Sequence, residues 1–402
     1  MKILFLTDNF PPEVNAPANR TFEHCREWVK QGAEVTVITG VPNFPKGKVF
    51  SGYRNRLYQE EVMEGIRVVR VWTYITANSG FLKRILDYLS FALMAFLAGL
   101  RIRTELILAT SPQFFTAVAG CWLAFLRRKK WVMEVRDLWP DSITAVGAME
   151  HGPVIQFFEW LEKRLYHSAD RIIVVTDAFK EKISARGINP EKIAVFKNGV
   201  NLEFFKPGEK NPELVNELGL KNKFVVGYIG THGMAHGLSF IIESIKELEV
   251  THPEFLFLFI GDGAERKKLL RLAHRLDSSN VLFLDSVPKA EIRNYLNLLD
   301  VALVNLRNNE TFRTVIPSKI FEAAAMEKPI LLGLGGEAKK IIDSYGAGLS
   351  YFPEDTESFF KVLLKIKMPQ SYKNAQMGAR ALAKNFDRKE IACKMYRYLK
   401  SI

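Results

Sequence analysis

Short apolar runs alternate with helical stretches along almost the whole chain. In the first half the runs are Ile3 to Leu6, Val35 to Ile38, Val68 to Val71, Leu106 to Ala109, Trp131 to Val135, Ile172 to Val175 and Ile193 to Phe196. Between them lie helical segments such as Asn19 to Gln31, which Gly32 ends. Strands that alternate with helices build parallel sheets, because each helix returns the chain to the start of the next strand. The expected fold class is therefore α/β.

The same pattern starts again after a break near residue 200. The segment NGVNLEFFKPGEKNP, which follows Lys197, is rich in turn-forming residues and lacks periodicity, as a crossover between domains does. Further apolar runs follow at Phe224 to Ile229, Phe255 to Ile260, Val281 to Leu284, Val301 to Val304 and Ile330 to Leu332. A chain of 402 residues is also too long for one ordinary core. We predict two Rossmann-like parallel-sheet domains that face each other across a cleft, with ligands at the carboxyl ends of the strands.

Composition narrows the class of protein. Hydrophobic residues make up 48% of the chain and charged residues 25%, which is typical of a soluble folded protein. Three widely separated cysteines, Cys25, Cys121 and Cys393, predict neither a metal cluster nor a disulfide framework, and therefore a reducing compartment. The short apolar run before Asp8 is too short for a secretory signal, and it is interpreted as the first buried strand.

Positive charge is concentrated in the first half. The formal net charge is +12, and the window from Lys46 to Arg136 holds 15 basic and six acidic residues. Inside this window, the segment from Phe81 to Arg103 contains 13 uncharged residues, Tyr88 to Leu100, between basic flanks. This stretch is too short to span a bilayer, which needs about 20 residues. It can lie in the membrane interface with its flanks on anionic head groups, as can Trp122 to Trp131; the alternative is a buried core helix with solvated ends.

The segment from Thr314 to Gly333 reads TVIPSKIFEAAAMEKPILLG and predicts a short helix that begins at a Pro-Ser pair. A helix start presents unpaired N–H groups and the positive end of the helix dipole, so it favours a phosphate. Lys319 would add a full charge. Glu322 lies three residues later on the same face and can accept hydrogen bonds from a ribose. The alternative is a solvated lysine and a glutamate that the dipole alone favours.

Glycine-rich turns follow the first two strands of the second half. In Gly227 to Gly233, GYIGTHG, the glycines let backbone N–H groups approach a phosphate closely. His232 and His236 can hydrogen-bond a phosphate or a sugar hydroxyl there, or they are solvated loop histidines. The turn Gly261-Asp262-Gly263 is similar, although a plain tight turn is the favoured interpretation.

A charged pair, Arg136-Asp137, ends a strand in the first half, at the mouth of the predicted sheet. Asp137 can orient an acceptor hydroxyl, and Arg136 can pair with it or reach a diphosphate. An internal ion pair is the competing account. The segment Asn15 to Arg20, NAPANR, precedes the first helix and is in position to shape the same cleft, although ordinary N-capping explains it equally well.

Several of these segments together resemble one family. They are the opening strand with its PPE loop, the RDLWP segment, the NGV of Asn198 to Val200, the IGDG of Ile260 to Gly263, and the helix through Glu322. In these segments the chain resembles, over nearly its whole length, the retaining two-domain GT-B glycosyltransferases of family 4, which include bacterial O-antigen and capsule enzymes. The resemblance implies an acceptor-binding domain at 1–198, a nucleotide-sugar-binding domain at 199–380, and a C-terminal helix within 381–402 that packs back on the first domain.

The resemblance also implies an activity. A sugar would pass from a nucleotide sugar, UDP-linked, to a membrane-associated, polyprenyl-diphosphate-linked saccharide in lipopolysaccharide, O-antigen or capsule synthesis, with retention of anomeric configuration. Neither a metal ion nor another cofactor is implied, and no nucleic acid. The protein would be cytoplasmic, with peripheral contact at the inner face of the cell membrane.

Candidate site residues follow from the motifs and from the resemblance. The donor-binding candidates are Gly230, Thr231, His232, Gly233, Gly261, Val287, Ser318, Lys319 and Glu322. The resemblance implies that Glu322 holds the ribose and that backbone near Val287 contacts the base. The acceptor-binding candidates are Asn15 and Arg20, and the catalytic candidates are Lys319, Arg313, Asp137 and Arg136.

The chain departs from the family at three places. The family commonly has two glutamates eight positions apart, and Thr314 stands in place of the first, which puts the donor-sugar contacts in doubt. Arg136 stands where a histidine frequently precedes Asp-Leu-Trp-Pro, so no catalytic histidine can be carried over. The usual arginine and lysine after the first strand of the second domain are replaced by Thr231, His232, Met234 and His236. We hypothesise that Arg313 and Lys319 supply the missing charge.

Two other functions fit parts of the sequence. One is a GT-B epimerase or phosphorylase, which would have the same fold. Within the transferases themselves, the RDLWP and PSKxFE patterns look most like enzymes that act on N-acetylated deoxysugars such as L-fucosamine. A non-catalytic nucleic-acid-binding protein would explain the pI of about 9.4. Against it, the sequence shows no recognisable nucleic-acid motif, and the excess charge surrounds apolar helices rather than stackable aromatics.

Overall fold

The chain folds into two compact units, residues 1–197 with 388–402 and residues 198–387. The structure is a computed structural model that describes residues 1–44, 47–76, 81–111, 114–145 and 152–402. Lys46, the first residue of the basic window, lies outside the described residues. Among the helices that are described, none is long and apolar enough to cross a bilayer.

The first unit contains one sheet of eight strands. The strands are β1 Lys2–Leu6, β2 Glu34–Gly40, β3 Tyr58–Met63, β4 Ile66–Val71, β5 Leu106–Ser111, β6 Lys130–Val135, β7 Arg171–Val174 and β8 Ile193–Val195. Their order across the sheet is β3-β4-β2-β1-β5-β6-β7-β8. β3 and β4 pair antiparallel, and the other neighbouring strands pair parallel.

Helices cover this sheet. They are α1 Ala16–Lys30, α2 Phe81–Gly99, α3 Phe114–Arg127, α4 Asp141–Ala145, α5 Pro153–Ser168 and α6 Asp177–Ala185, and the last helix of the chain, Arg388–Lys400, also belongs to this unit. Trp28 of α1 stacks on Phe5 of β1, and its indole N–H donates to the carbonyl of Ala392 at 3.0 Å. Glu23 of α1 and Arg388 form an ion pair at 2.6 Å. The last helix is therefore fixed to α1 by packing, a hydrogen bond and an ion pair.

The second unit contains a six-stranded, fully parallel sheet in the order β11-β10-β9-β12-β13-β14. The strands are β9 Phe224–Ile229, β10 Phe255–Ile260, β11 Val281–Leu284, β12 Val301–Asn305, β13 Ile330–Gly333 and β14 Gly348–Ser350. The helices are α7 Pro212–Glu217, α8 Leu238–Thr251, α9 Arg266–Arg275, α10 Ile292–Leu298, α11 Lys319–Ala325, α12 Gly336–Tyr345, α13 Thr356–Lys367 and α14 Pro369–Asn385, which makes Arg388–Lys400 α15. β10, FLFLFI, is buried along its whole length, as expected of a parallel strand covered on both faces.

The predicted α/β class is confirmed, and each predicted apolar run overlaps a strand. Two strands were not predicted. β3, YQEEVM, lies at the edge of its sheet and alternates between exposed and half-buried residues, so it has no apolar run to detect. β14 has only three residues.

Candidate functional site

Two glycine-rich loops contact each other through their backbones at the carboxyl ends of β9 and β10. The N–H of Gly230 donates to the carbonyl of Ile260 at 2.8 Å, and the N–H of His232 donates to the carbonyl of Asp262 at 2.9 Å. Gly230 has φ +139° and Gly261 has φ +142°. A Cβ atom on Gly261 would lie 2.0 Å from the carbonyl oxygen of Gly230, so a side chain is excluded there. The two loops therefore form one closely packed backbone surface.

Lys319, the first residue of α11, reaches this surface. A Cβ atom on Gly230 would lie 2.8 Å from the Lys319 Nζ, which itself lies 3.5 Å from the centroid of the Tyr228 ring. The Nζ is buried, and in the described parts of the chain it has no hydrogen-bond partner. Burial lowers the pKa of Lys319 to about 7, although the nearby Glu322 carboxylate acts in the opposite direction. The ammonium group is therefore held against an aromatic face, and its N–H donors are unused.

The start of α11 differs from the prediction. The N–H of Ile320 donates to the carbonyl of Pro317 at 3.1 Å, and the N–H of Phe321 donates to that of Ser318 at 3.0 Å. These short turns use donors that were expected to be free for a phosphate. The positive charge at this place therefore comes from the Lys319 side chain more than from the helix start.

Two histidines lie beside Lys319. The ring centroids of His232 and His236 lie 5.9 Å and 5.7 Å from that of Tyr228. Burial, followed by the charges of Arg266 and Lys319, lowers the pKa of His232 to about 4, and burial with Lys319 lowers that of His236 to about 3. Both rings are therefore neutral near pH 7. His232 is fully buried, which excludes the interpretation as a solvated loop residue, and both of its ring nitrogens lack a partner within the described ranges.

The remaining donor candidates lie at or near the same edge of the sheet. Thr231 and Gly233 belong to the loop after β9, and Thr231 is exposed. Val287 follows β11, the neighbour of β10, and is half-buried. Glu322 lies one turn after Lys319 in α11. The sheet therefore brings most of the predicted donor residues to one edge.

Arg313 lies at a different place from Lys319. Its guanidinium pairs with the exposed Glu310 at 2.8 Å. A Cβ atom on Gly335, which follows β13, would lie 3.6 Å from the Nε of Arg313. The side chain thus lines a cavity beside β13, where Lys339 is also found. Arg313 lines this cavity and Lys319 does not, so the hypothesis that the two together supply the missing charge stays a prediction.

In the first unit, Arg136 contacts a buried cluster rather than Asp137. Arg20 of α1 forms a buried ion pair with Glu134 of β6. Burial and the charge of Arg20 lower the pKa of Arg136 to about 9, and Glu134 acts against this shift. The Nε and Nη1 of Arg136 are buried, and no described residue accepts a hydrogen bond from either. Arg136 therefore remains charged at neutral pH and, like Lys319, has unused donors.

The other predicted residues of the first unit have local partners. Asp137 accepts hydrogen bonds from the side chain of Ser142 and the backbone of Leu138, while burial raises its pKa to about 6. Asp137 therefore does not form the internal ion pair with Arg136 that was the competing interpretation. Asn15 caps α1, because its Oδ1 accepts from the N–H of Ala18 at 2.9 Å.

Sequence reasoning missed Tyr228 and Glu134. Tyr228 has no signal beyond an aromatic residue two positions before Gly230. Glu134 has one: it is a single acid inside the otherwise apolar strand WVMEV, where an unpaired charge is too costly to remain. A search for buried acids in parallel strands would have found the cluster around Arg20. Within the described residues, no group of three or more His, Cys, Asp or Glu side chains could hold a metal ion.

Comparisons with known proteins agree with this architecture. Residues 15–199 match the family model described as a glycosyl transferase 4-like domain, and residues 210–382 match glycosyl transferases group 1. By these two matches, this chain belongs to the glycosyltransferases. Its two parallel-sheet α/β units are those of the GT-B fold, since the crystal structure of Anabaena Alr3699/HepE, solved with UDP and glucose, superimposes with a TM-score of 0.73 at 18% identity and full coverage of both chains.

Two named relatives of this chain are glycosyltransferases as well. The putative colanic acid biosynthesis glycosyl transferase WcaI of Escherichia coli K12 is 26% identical over 86% of this chain and 84% of its own length. The Escherichia coli UDP-Gal:alpha-D-GlcNAc-diphosphoundecaprenol alpha-1,3-galactosyltransferase is 30% identical, over 31% of this chain and 37% of its own.

Proposed function

We propose that this glycosyltransferase moves a sugar from a UDP-sugar to a polyprenyl-diphosphate-linked saccharide in the synthesis of a surface polysaccharide, with retention of anomeric configuration. One observation carries the donor half of the proposal: the buried Nζ of Lys319 lies beside the Gly230 backbone and against Tyr228. A buried ammonium without an anion is costly, and a diphosphate placed over Gly230 would remove that cost. UDP bound to the HepE structure supports the same class of donor.

The chemistry follows from where charge develops. Breaking the bond between the anomeric carbon and UDP leaves negative charge on the diphosphate, so a fixed cation beside it lowers the barrier. Lys319 is about half protonated near pH 7 in the free chain, and a diphosphate would favour its charged form. The neutral ring of His232 has one N–H to donate to a phosphate oxygen or a sugar hydroxyl. No step of this proposal uses a metal ion or another cofactor.

The acceptor half of the proposal depends on Arg136. Its buried N–H groups lie in a cluster with a net positive charge, since three arginines, Arg20, Arg136 and Arg388, face two glutamates, Glu134 and Glu23. A guanidinium matches the oxygens of a diphosphate well. Asp137, with its pKa raised to about 6, is mostly ionised at neutral pH and can orient an acceptor hydroxyl. The diphosphoundecaprenol acceptor named for the Escherichia coli galactosyltransferase supports this choice.

A lipid-linked acceptor requires contact with a membrane, and three helices of the first unit support this. α2 exposes Leu86, Leu89, Leu93 and Leu97, α3 exposes Trp122, Phe125 and Leu126, and α5 exposes Val154, Phe157 and Trp160; we call these residues the apolar face. The spacing on α2 puts its four leucines along one side of the helix. Large apolar patches of this kind mark interaction sites.

The helices that carry the apolar face are in contact, and basic residues surround it. Arg127 of α3 donates to the carbonyl of Gly99 of α2 at 2.8 Å, and Phe114 of α3 packs on Phe158 of α5 with centroids 6.0 Å apart. The exposed residues Lys83, Arg84, Arg128, Lys129, Lys130, Lys163 and Arg164 lie on or next to the same helices. Apolar residues with basic neighbours favour the interface of an anionic bilayer. We infer peripheral attachment to the cytoplasmic membrane surface through the apolar face.

Calorimetric titration with UDP tests the donor half. Lys319→Met is compared with Lys328→Met. Lys328 is a half-buried lysine of the same unit, with its pKa lowered to about 8 by burial, and its Nζ donates to the Asn297 carbonyl at 3.0 Å. We expect the unchanged chain and Lys328→Met to bind UDP alike, and Lys319→Met to bind at least about tenfold more weakly. Absence of UDP uptake, or equal affinity in all three proteins, would end the proposal. Donor hydrolysis or isomerisation without any acceptor would favour an epimerase or phosphorylase.

Sedimentation with liposomes tests the membrane contact. The full chain should bind vesicles that contain anionic lipid and bind neutral vesicles less. Leu93→Ser with Phe125→Ser should weaken this binding, whereas Val250→Ser, at an exposed position in the second unit, should not. Binding to oligonucleotides but not to vesicles would support the nucleic-acid alternative instead.

A further inference from the structure

The second unit contains a basic cavity on the β12-β13-β14 side of its sheet. It opens at the carboxyl ends of β12, β13 and β14, has a volume of about 140 Å³, and is lined by Arg307, Arg313, Lys339, Gly335, Ser350 and Phe352 among others. That volume has room for several water molecules, and therefore for a carboxylate or phosphate group. Of the described residues that line it, three are cationic and none is acidic.

The three cations have only weak partners. Arg313 pairs with Glu310, which is mostly exposed, and Lys339 pairs with the half-exposed Asp343 one turn later. Arg307 reaches Glu265 only at 3.8 Å. Ion pairs on the surface contribute little, since water screens them. An anion inside the cavity can therefore compete for all three side chains.

The cavity wall also presents backbone and hydroxyl groups. α12 begins at Gly336, after Gly335 at the N-cap position, and Gly336 has φ +65°. A Cβ atom on Gly336 would lie 1.9 Å from the Arg313 carbonyl oxygen, so glycine is needed for this close approach. The Oγ of Ser350 is buried, with no hydrogen-bond partner in the described chain. The start of a helix and a hydroxyl thus add donors to the three cations.

This cavity adjoins the loop that receives the proposed donor. The N–H of Arg307 donates to the carbonyl of Ala235 at 2.9 Å, in the short turn that continues the Gly230 loop. The side-chain amide of Asn305 donates to the carbonyl of His236, in the same turn, at 2.7 Å. A sugar attached to a diphosphate at Gly230 would therefore have the cavity as a neighbour.

We propose that the cavity binds an oxyanion carried by the donor sugar, so that the preferred donor is a nucleotide-linked acidic sugar such as a uronic acid. The inference rests on the proposed function, since it assumes a diphosphate at Lys319. The carboxylate of the donor sugar would lie between Arg307, Arg313 and Lys339. Phe352, which is 75% exposed, offers an apolar face to the sugar ring at the mouth of the cavity.

Calorimetry with UDP, UDP-glucose and UDP-glucuronate tests this proposal on the full chain. We expect UDP-glucuronate to bind at least about tenfold more tightly than UDP-glucose, the gain typical of charge-assisted hydrogen bonds. In the double variant Arg307→Gln, Lys339→Gln this preference should disappear while the affinity for UDP stays unchanged. The variant Lys361→Gln, at an exposed lysine of α13, should keep the preference.

Other outcomes separate this inference from the proposed function. Equal affinity for the two sugar nucleotides, or a preference that survives in the double variant, overturns the acidic donor and leaves UDP binding in place. Failure of all three compounds to bind overturns the proposed function itself. Binding of inorganic phosphate that the double variant loses, together with equal affinity for the two sugar nucleotides, would assign the cavity to a free phosphate and overturn the assignment to the sugar.

Discussion

Two regions of this chain bury a cationic group with unused N–H donors, and the two groups differ in their surroundings and in their pKa. In the second unit, Lys319 lies against the Tyr228 ring, and burial lowers its pKa to about 7. In the first unit, Arg136 shares a buried cluster with Arg20 and Glu134, and its pKa stays near 9. A lysine can release its proton when no anion is present, whereas a guanidinium cannot and needs a fixed carboxylate nearby.

This difference in charge state determines how substitutions in each region affect stability. The Lys319 amine can be uncharged in the free chain and take up a proton when an anion binds. The cluster around Arg136 is permanently charged, so its stability depends on Glu134. Replacing Glu134 should therefore destabilise the first unit, whereas replacing Lys319 should not destabilise the second.

The largest expected effect is on the first unit. Glu134→Gln leaves Arg20 and Arg136 without their buried carboxylate, and we expect a loss of about 3 to 5 kcal/mol in unfolding free energy. All six tryptophans lie between Trp28 and Trp160, so tryptophan fluorescence in urea reports on this unit. Glu60→Gln, which breaks the exposed pair with Arg67, should cost under about 1 kcal/mol. A loss at Glu134 no larger than this control would break the comparison.

The next effect concerns catalysis. Lys319→Met should lower the turnover number about a hundredfold, because one fixed charge at the leaving group is lost. It should not destabilise the second unit, since the variant removes a buried charge. Transfer of radiolabelled sugar measures the first effect and calorimetric unfolding the second, with Lys328→Met as the control. Near-normal turnover would rule out the role of Lys319.

The pH dependence distinguishes the two cations. Below the folded pKa of about 7 Lys319 is charged with or without UDP, while above it UDP binding must bring a proton. We expect uptake of most of one proton at pH 8, where the terminal phosphate of UDP is already ionised. At pH 5.5 we expect no uptake, because Lys319 is already charged and the UDP phosphate, with a pKa of about 6, can only release a proton. Calorimetry in two buffers of different ionisation enthalpy measures both. Lys319→Met should show no such uptake. In the free chain the folded pKa is below the unfolded one, so stability should rise as the pH increases from 7 towards 10.5.

The smallest expected effect comes from the ring under Lys319. Tyr228→Leu removes the cation–π contact, which contributes about 1 kcal/mol, so the proton-uptake profile should move to lower pH by less than one unit. Tyr228→Phe keeps the ring and loses only the hydroxyl, which donates to the Thr231 carbonyl at 2.7 Å. We expect the profile of this control to match that of the unchanged chain. A profile that does not move in Tyr228→Leu would show that the ring contributes nothing to the charge state of Lys319.

The fold was largely predictable because buried parallel strands are continuous apolar runs. β10, FLFLFI, is an example, and Gly32 follows the end of α1 as predicted. β3 was not predictable in this way, since an edge strand with one exposed face needs no apolar run. The return of α15 to the first unit was implied by the family resemblance, and its anchors, Trp28 and Glu23, are distant in sequence.

The candidate site was predictable in its residue types and less so in its geometry. Gly230 and Lys319 are 89 positions apart, and only parallel pairing of β9 with β12 brings their loops together. The prediction also grouped Arg313 with Lys319, as the two side chains that supply the positive charge missing after β9. The five residues between them include a Pro, and Arg313 itself belongs to the short turn Phe312–Thr314, from which its side chain reaches the cavity beside β13.

The return of α15 has a consequence for synthesis of the protein on the ribosome. Residues 388–402 complete the first unit, although the whole second unit is translated before them. Until they emerge, the nascent first unit leaves Trp28 and Glu23 without the partners that α15 supplies. Folding in order of translation, which is usual for multidomain chains, is therefore interrupted here, and a chaperone that binds apolar surface would find its target on α1 during that interval.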